Sequence, residues 1–377
     1  MASITKYKKC FQLSKAIVFM AMIFLSVSCS DDKKYSDEAV VTLSCKSFYA
    51  DSLINQNGNT RTASTRALSS NTEDKVEDLT VYIFNSAGDV IGHNYSSYSI
   101  DSQTTISMSI TTHAADGCTI YAVANAGSGT FSGVYNKALF DEKYASIANA
   151  AALENGSDYA IMFGKMTGVN ISSGTSDYGT INLARLLSKI TFKILPKSAD
   201  SWPITITGYQ LHHVPLECYY ADTHNATTTQ LTAYGDYDPV IPSSDNTDGS
   251  TLTFTYYVYE NLAGTNSNAT TWKLRCSANA PEKASYLTIN AQTAIWKSTY
   301  YIYLGGKNLT ADGTGGSGST YDYTDYNLYR NTNYTVTVNI NGSGSDENGY
   351  RVTYQANIYF KTPGISEWNP ISVPVDM

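Results

Sequence analysis

The side chains best suited to chemistry are two adjacent histidines, a glycine-rich run, and scattered carboxylates and thiols. His212 and His213 lie together in "WPITITGYQLHHVPL", a stretch with strand character. Successive side chains on a strand point to opposite faces, so the pair would not chelate one metal ion together. "GTGGSG" satisfies GxGxxG through Gly313, Gly315 and Gly318. No helical pattern follows it to supply the N-terminus that holds a pyrophosphate, so it reads as a flexible loop. "DYDP" and "SDNTDGS" carry loop oxygens of the kind calcium takes, without EF-hand spacing. Neither HExxH nor GxSxG occurs, and no two carboxylates stand in a recognisable acid–base pairing. Cys45, Cys118, Cys218 and Cys276 form no CxxC and no Cys/His cluster at zinc spacing. They read either as two extracellular disulfides or as buried free thiols. The expectation is a protein that is not an enzyme and has no cofactor and no metal.

One thiol has a different setting. "KYKKCFQLSK" is basic and "AIVFMAMIFLSV" is an apolar stretch of twelve residues. A spanning helix needs about twenty, so residues 1–28 read as a secretory signal. The stretch ends in "LSVSCSDDKK", which resembles a bacterial lipoprotein lipobox with Cys29 as the acylated residue. Asp31 and Asp32 resemble the surface-export signal of Bacteroidetes lipoproteins. Loss of residues 1–28 removes four lysines and no acids, taking the net charge from −8 to −12. Phosphate affinity needs clustered Lys and Arg, so no nucleic-acid partner is expected. The charge bears on "NQNGNTRTASTRALSSNTEDKVEDLTVYIFN", a polar run with Arg61 and Arg66 before a hydrophobic strand. Of three roles for the arginines (loop residues, nucleic-acid contacts, a cleavage site), the acidic chain removes the second.

The elements that position these residues read as strands. Charged residues are only 15% of the 377, while tyrosine alone supplies 31, a composition suited to pleated, half-buried surfaces. "AVVTLSCKSF" is one candidate strand. "DLTVYIFNSAGDVIG" reads as strand, turn, strand; "TTISMSI" alternates strictly; "CTIYAVANAG" is continuous enough to be buried on both faces. A helix is expected near "NKALFDEKYASIANAAALENG", where Leu139, Phe140, Tyr144, Ile147, Ala151 and Leu153 share a stripe. A second series follows, including "TTWKLRCSA", "STYYIYLGG" and "NYTVTVNING". In the last, Tyr334, Val336, Val338 and Ile340 share one face. The dense tyrosines are expected in core and cross-strand packing. Strands, one helix, then strands argue for an all-β chain of two tandem β-sandwiches dividing near residue 180. At the other end, Ile371, Val373 and Val375 alternate with Ser372, Pro374 and Asp376, giving a short extended segment an apolar face. Such a segment is tucked into its own sheet or offered to another molecule.

Several segments in order resemble the Bacteroidales fimbrillin superfamily, the type V pilins made as lipoprotein precursors. They are "VEDLTVYIFNSAGDVI", "CTIYAVANAG", "LARLLSKITFKI", "TYYVYENLAG", "ASYLTINAQ", "YYIYLGG" and "DYNLYRNTNYTVTVNINGSGSD". The resemblance implies two transthyretin-like β-sandwich domains, 67–180 and 181–377, with a short helix in the first. It also implies a lipidated pro-segment, 29–66, removed by an arginine-specific protease after Arg66 or Arg61. Loss of the anchor and first strand would open a groove for a strand of another subunit. The implied partners are other fimbrial subunits, the outer membrane through the precursor's lipid, and a host or bacterial surface ligand. The implied site is the cell outer membrane, then the surface fimbrium. The alternative is an anchored glycan-binding surface lipoprotein that uses its tyrosines on sugar.

Overall fold

The computed structural model describes residues 38–47, 75–98, 105–153, 160–224, 231–271, 274–306, 322–347, 350–352, 356–357 and 369–372. In chain order the first half comprises β1 (Glu38–Ser47), β2 (Asp78–Phe84), β3 (Val90–Ser97), β4 (Thr105–His113) and β5 (Ala115–Ala124). These are followed by α1 (Lys137–Asp141), β6 (Tyr144–Ser146), β7 (Met162–Ile171) and β8 (Gly174–Arg185). The second half opens with β9 (Leu187–Pro196), β10 (Thr205–His212), β11 (Val214–Pro215), β12 (Glu217–Tyr219) and β13 (Tyr234–Gly235). Then come β14 (Leu252–Tyr259), β15 (Tyr286–Gln292), β16 (Lys297–Tyr303) and β17 (Thr332–Ile340). The last are β18 (Ser345–Glu347), β19 (Tyr350–Val352), β20 (Ala356–Asn357) and β21 (Asn369–Ser372). The chain is all-β with one short α-helix among the described residues.

The first half forms one seven-stranded path, β3-β2-β5-β7-β8-β1-β4. The join of β7 to β8 is only two residue pairs long, Met162↔Arg185 and Phe163↔Ala184. The path folds there into two layers, β3-β2-β5-β7 and β8-β1-β4, around a shared core. Leu79, Val81 and Ile120 enter that core from one layer, and Val41, Met108 and Leu183 from the other. On the open side β3 meets β4 through side chains. Asn94 Nδ2 donates to the Ser109 carbonyl at 3.0 Å, and Thr112 Oγ1 to the Ile91 carbonyl at 2.9 Å. The sequence patterns account for the layers. "TISMSI" buries Ile106, Met108 and Ile110 in alternation, while β5 is buried on both faces from Ile120 to Ala124. The β2–β3 turn is held by Asn85, whose Oδ1 accepts from the Ala87 and Asp89 amides, with Gly88 at φ +90°.

The second half stacks β14-β9-β17-β20 on β10-β15-β16. Its core includes Phe192, Phe254, Tyr256, Tyr300 and the expected β17 face of Tyr334, Val336, Val338 and Ile340. A third cluster draws on both halves: Phe131 stacks on Phe140 at 4.6 Å and meets Tyr220 at 5.0 Å, with Tyr257 and Tyr259 in the same group. The expected boundary at residue 180 falls inside β8, and buried Leu186 alone separates β8 from β9.

Two local expectations fail for stated reasons. The helix stops at Asp141 after an Asn136 cap, because Tyr144–Ser146 leaves to pair with Glu217–Tyr219 as β6–β12. Of its apolar stripe, Phe140, Ile147 and Leu153 pack in the aromatic cluster, while Tyr144 is exposed. The strand expected at "TTWKLRCSA" is instead irregular from Leu274 onward, because Arg275 turns inward. Its guanidinium lies 4.1 Å from the Tyr326 ring centre and donates to the carbonyls of Tyr323, Asp325 and Leu304.

Gly164 sits where β7 crosses β8, and a Cβ there would collide with the Asn182 carbonyl oxygen and the Ile181 side chain. Gly164→Ala is expected to destabilise the protein by about 1–3 kcal/mol through overpacking, read as a lowered urea midpoint without a change in slope.

Candidate assembly site

Three places gather the residues that the sequence singles out: the slot around β1, the edge where β21 lies, and a polar clasp in the second half. β1 is the middle strand of its layer. It pairs antiparallel with β4 from Glu38↔His113 to Lys46↔Thr105, and parallel with β8 from Ala39↔Gly174 to Ser47↔Leu183. Ala39, Val41, Leu43 and Cys45 face the core and are at most 1% exposed. Thr42 and Ser44 face outward, their hydroxyls 3.3 and 3.2 Å from those of Ser109 and Ser107. Burial pushes the Cys45 thiol up to about 12, so it serves as a small apolar side chain. All four downstream cysteines are free and buried, so of the two readings open for them the structure takes the free-thiol one.

β1 precedes Arg61 and Arg66 in the chain, and β2 follows them. Arg61, Arg66 and Cys29 themselves lie outside the described residues. At the other end, Asn369–Ser372 pairs in parallel with β17 of its own molecule, placing Ile371 opposite Tyr334. β20 takes the same edge further along, at Thr337 and Val338. Val373 and Val375 lie outside the described residues.

The clasp joins two of the segments that carry the resemblance, "TYYVYENLAG" and "DYNLYRNTNYTVTVNINGSGSD". After β14, Glu260 receives Arg330 Nε at 2.9 Å and Nη2 at 2.7 Å. Arg330 also donates to the Tyr220 and Tyr219 carbonyls. Burial alone would lower the Arg330 pKa, but the neighbouring Glu260 carboxylate carries it above its ordinary value. Asn261 exchanges backbone hydrogen bonds with Leu328 at 2.9 and 2.8 Å, and its Nδ2 donates to the Lys283 carbonyl and Ser285 Oγ. Asn331, at φ +52°, accepts from Arg185 Nη1 at 3.0 Å and donates its amide to the Leu187 carbonyl. The clasp thus fixes the turn from β8 into β9. Nothing local in either segment names the other as its partner; the signal the sequence carries is the opposite charge of Glu260 and Arg330, each beside an asparagine at a strand end.

The other chemical candidates resolve into structure. His212 and His213 do not point to opposite faces, because His213 adopts φ +53° and breaks the alternation. Both rings touch Tyr286, at 4.7 and 5.4 Å, and Asp236 of "DYDP" binds His212 Nδ1 and the His213 amide. Asp248 of "SDNTDGS" accepts from the Ser198 and Ile204 amides, so its oxygens brace a loop. Gly313, Gly315 and Gly318 lie outside the described residues. Among the described residues no group of three His, Cys, Asp or Glu is placed to hold a metal, and no helix is long and apolar enough to cross a membrane. A cleft of about 350 Å³ lies beside Glu77, Asp78, Asn125, Leu187 and Tyr259. Burial raises the Asp78 carboxyl, against the lowering effect of the Gly127 and Ala126 amides that it accepts from.

Residues 256–312 match a family described as a domain of unknown function, DUF4906. No curated protein matches the sequence. The fold matches solved structures over most of their length. A candidate cell adhesion protein of Parabacteroides distasonis aligns at 14% identity and TM-score 0.56, covering 85% of this chain and 95% of that one. A fimbrilin, FimA, of Porphyromonas gingivalis aligns at 13% and 0.54, again over 85% and 95%. The tip fimbrial protein Mfa3 of the same organism aligns at 12% and 0.52, over 80% and 94%. At these identities the likeness is one of fold, and the chain has a fimbrillin-like fold.

Glu260→Ala is expected to strand the largely buried Arg330 charge. The expected loss is about 2–4 kcal/mol, just under the figure for a completely buried pair because both side chains keep some solvent contact. Replacing both partners with apolar residues of similar size should cost less, as chemical denaturation of the single and double variants would show.

Proposed function

We propose that the protein is a structural subunit of cell-surface fimbriae, exported as a precursor lipidated at Cys29 and matured by cleavage after Arg66 or Arg61. The observation that carries this reading is the position of β1. A strand that precedes both arginines fills the middle of a core layer, so cutting between β1 and β2 makes that strand separable from the rest. A strand from another subunit then takes its place and joins the two molecules. The fold supports the reading, since the solved structures that share it include proteins described as a fimbrilin and a tip fimbrial protein.

A proteolytic signal has to be reachable in an extended conformation, and the polar composition around Arg61 and Arg66 suits that. Of the two, Arg66 is nearer to β2. The segment containing Ile371, Val373 and Val375 is the strand we assign as donor. Among the described residues its pairing with β17 is short, four residues long, and is made on one edge only, so release costs few ladder bonds. Pro370 and Pro374 lack amide hydrogens, so the segment pairs well along only one edge, which counts somewhat against it as the filler of a slot walled on both sides. Burying the three aliphatic side chains contributes about 1.5–3 kcal/mol each before ordering costs. The subunit contributes to adhesion through the polymer, with other fimbrial subunits as its partners and an arginine-specific protease as the processing enzyme.

The double variant Arg61→Ala, Arg66→Ala is expected to accumulate as a larger, membrane-retained form that does not polymerise. Mature protein from that variant beginning at the wild-type N-terminus would overturn the processing step. A protein that keeps its lipid in the wild type and binds polysaccharide as a monomer would instead be a glycan-binding lipoprotein. Removing residues 370–377 is expected to leave a folded subunit that melts near the wild-type temperature and fails to extend fimbriae. Melting far lower would assign the segment to its own sheet alone.

A further inference from the structure

The cleft beside Glu77 and Asp78 takes its walls from both halves of the molecule. The first half supplies the start of β2, the end of β5, the stretch from β6 to Leu153 and the entry to β7; the second supplies Leu187 of β9 and Tyr259 of β14. At about 350 Å³ it lies near the lower end of the range for small-ligand sites. Its rim is braced by Asn125, held in the left-handed region at φ +63°. The Asn125 amide donates to the Asp78 carbonyl, its Nδ2 donates to the Lys75 and Ala160 carbonyls, and its Oδ1 accepts from the Glu77 amide. One residue thus ties three of the lining segments together. The Asp78 carboxylate accepts from the Ala126 amide at 3.2 Å and the Gly127 amide at 3.1 Å. Among the described residues neither Asp78 nor Glu77 has an ion-pair partner. Burial raises the Asp78 carboxyl against the pull of those amides, and the neighbouring Glu77 charge raises it further, so a cation in the cleft would stabilise both carboxylates. Much of the remaining lining is aliphatic, with Ile147, Leu153, Ile161 and Leu187.

We propose that this cleft binds a small aliphatic cation, an ammonium or guanidinium head on a short hydrocarbon stem. The head pairs with Asp78 and Glu77, and the stem covers the aliphatic lining. An anion would meet two carboxylates with no cation between them, and a sugar would set its hydroxyls against Ile147, Leu153, Ile161 and Leu187. The net charge of −8 favours the approach of cations from a distance. The same head and stem occur in a free amine and in a lysine or arginine side chain. Because the ligand touches both halves of the native chain, it stabilises the fold by mass action. None of this depends on processing or on the fimbrial role.

The test is calorimetric titration of the full chain with n-pentylamine and with agmatine, beside n-pentanol and glutarate as controls. Both cations are expected to bind and to raise the melting temperature. Pentanol, with the stem and no charge, should bind at least about tenfold more weakly, and glutarate should give no heat. Asp78→Asn keeps an oxygen for the Ala126 and Gly127 amides and should weaken pentylamine by about tenfold, with Glu77→Gln weakening it by about threefold. If Asp78→Asn fails to fold, Glu77→Gln and Ala152→Trp decide, the tryptophan filling the cleft and abolishing binding. Nα-acetyl-lysine amide separates the two sources of the cation. Binding as tight as that of pentylamine supports the proposal with a peptide's basic side chain as ligand, and binding at least about tenfold weaker supports it with a free amine. The full chain contains residues 154–159, which join Leu153 to Ala160, so a cleft closed in solution shows as no binding. No binding of either cation, pentanol as tight as pentylamine, or unchanged affinity in the folded variants would overturn the proposal.

Discussion

The first half of the molecule hangs on the backbone ladder of β1. Its layer contains three strands, and the middle one supplies the pairing of both others over most of their length. β8 is tied to the facing layer at two residue pairs, and β4 to β3 by side chains. Buried amides and carbonyls without partners cost about as much as lost hydrogen bonds, so the layer is stable only with its centre filled. The inward side chains add to this, because an empty slot would expose the faces of Ile106, Met108 and Ile181 that now pack in the same core as Val41 and Leu43.

The second half supplies what the first lacks. β8 runs into β9 across Leu186, and Asn331 holds both sides of that junction, accepting from Arg185 and donating to Leu187. Arg330, one residue earlier, is fixed by Glu260 and by the carbonyls of Tyr219 and Tyr220. Tyr220 belongs to the aromatic cluster that also contains Phe131 and Phe140 from the first half. A chain of direct contacts therefore runs from the clasp to the base of β8. That wall of the slot is anchored in a part of the protein that does not depend on β1, whereas β4 is held by its short connection to β5, by side-chain bonds to β3 and by Ile106, Met108 and Ile110 in the shared core.

Much of this was legible in the sequence wherever one face of a strand alternates. The period-two patterns of "TISMSI" and "NYTVTVNI" gave the buried faces of β4 and β17 directly, and unbroken apolarity gave the doubly buried end of β5. The slot was not legible, because pairing partners are set by long-range contacts that leave no local pattern. "AVVTLSCKSF" reads the same at an edge as at a centre. The histidines were misread because a single φ of +53° at His213 overrides alternation, and "TTWKLRCSA" because Arg275 finds more hydrogen-bond acceptors inside than a strand would offer it. In both cases a polar side chain with several tertiary partners prevailed over local propensity.

A removable strand is useful only if its removal matters, and that constrains where it lies. Loss of an edge strand would uncover one row of backbone groups that water could solvate, and the core would be little changed. Loss of a central strand uncovers two facing rows and a line of apolar pockets, a state far less stable than one with any well-fitting strand in place. In the structure the chain's own β1 occupies the slot, with Ala39, Val41, Leu43 and Cys45 buried and the Cys45 thiol kept neutral. Under the proposed processing, a cut between β1 and β2 would couple the opening of the slot to one chemical event. On this reading the driving force for joining subunits is stored in the fold of the precursor, as pairing that β4 and β8 make with a segment they can lose and must then replace.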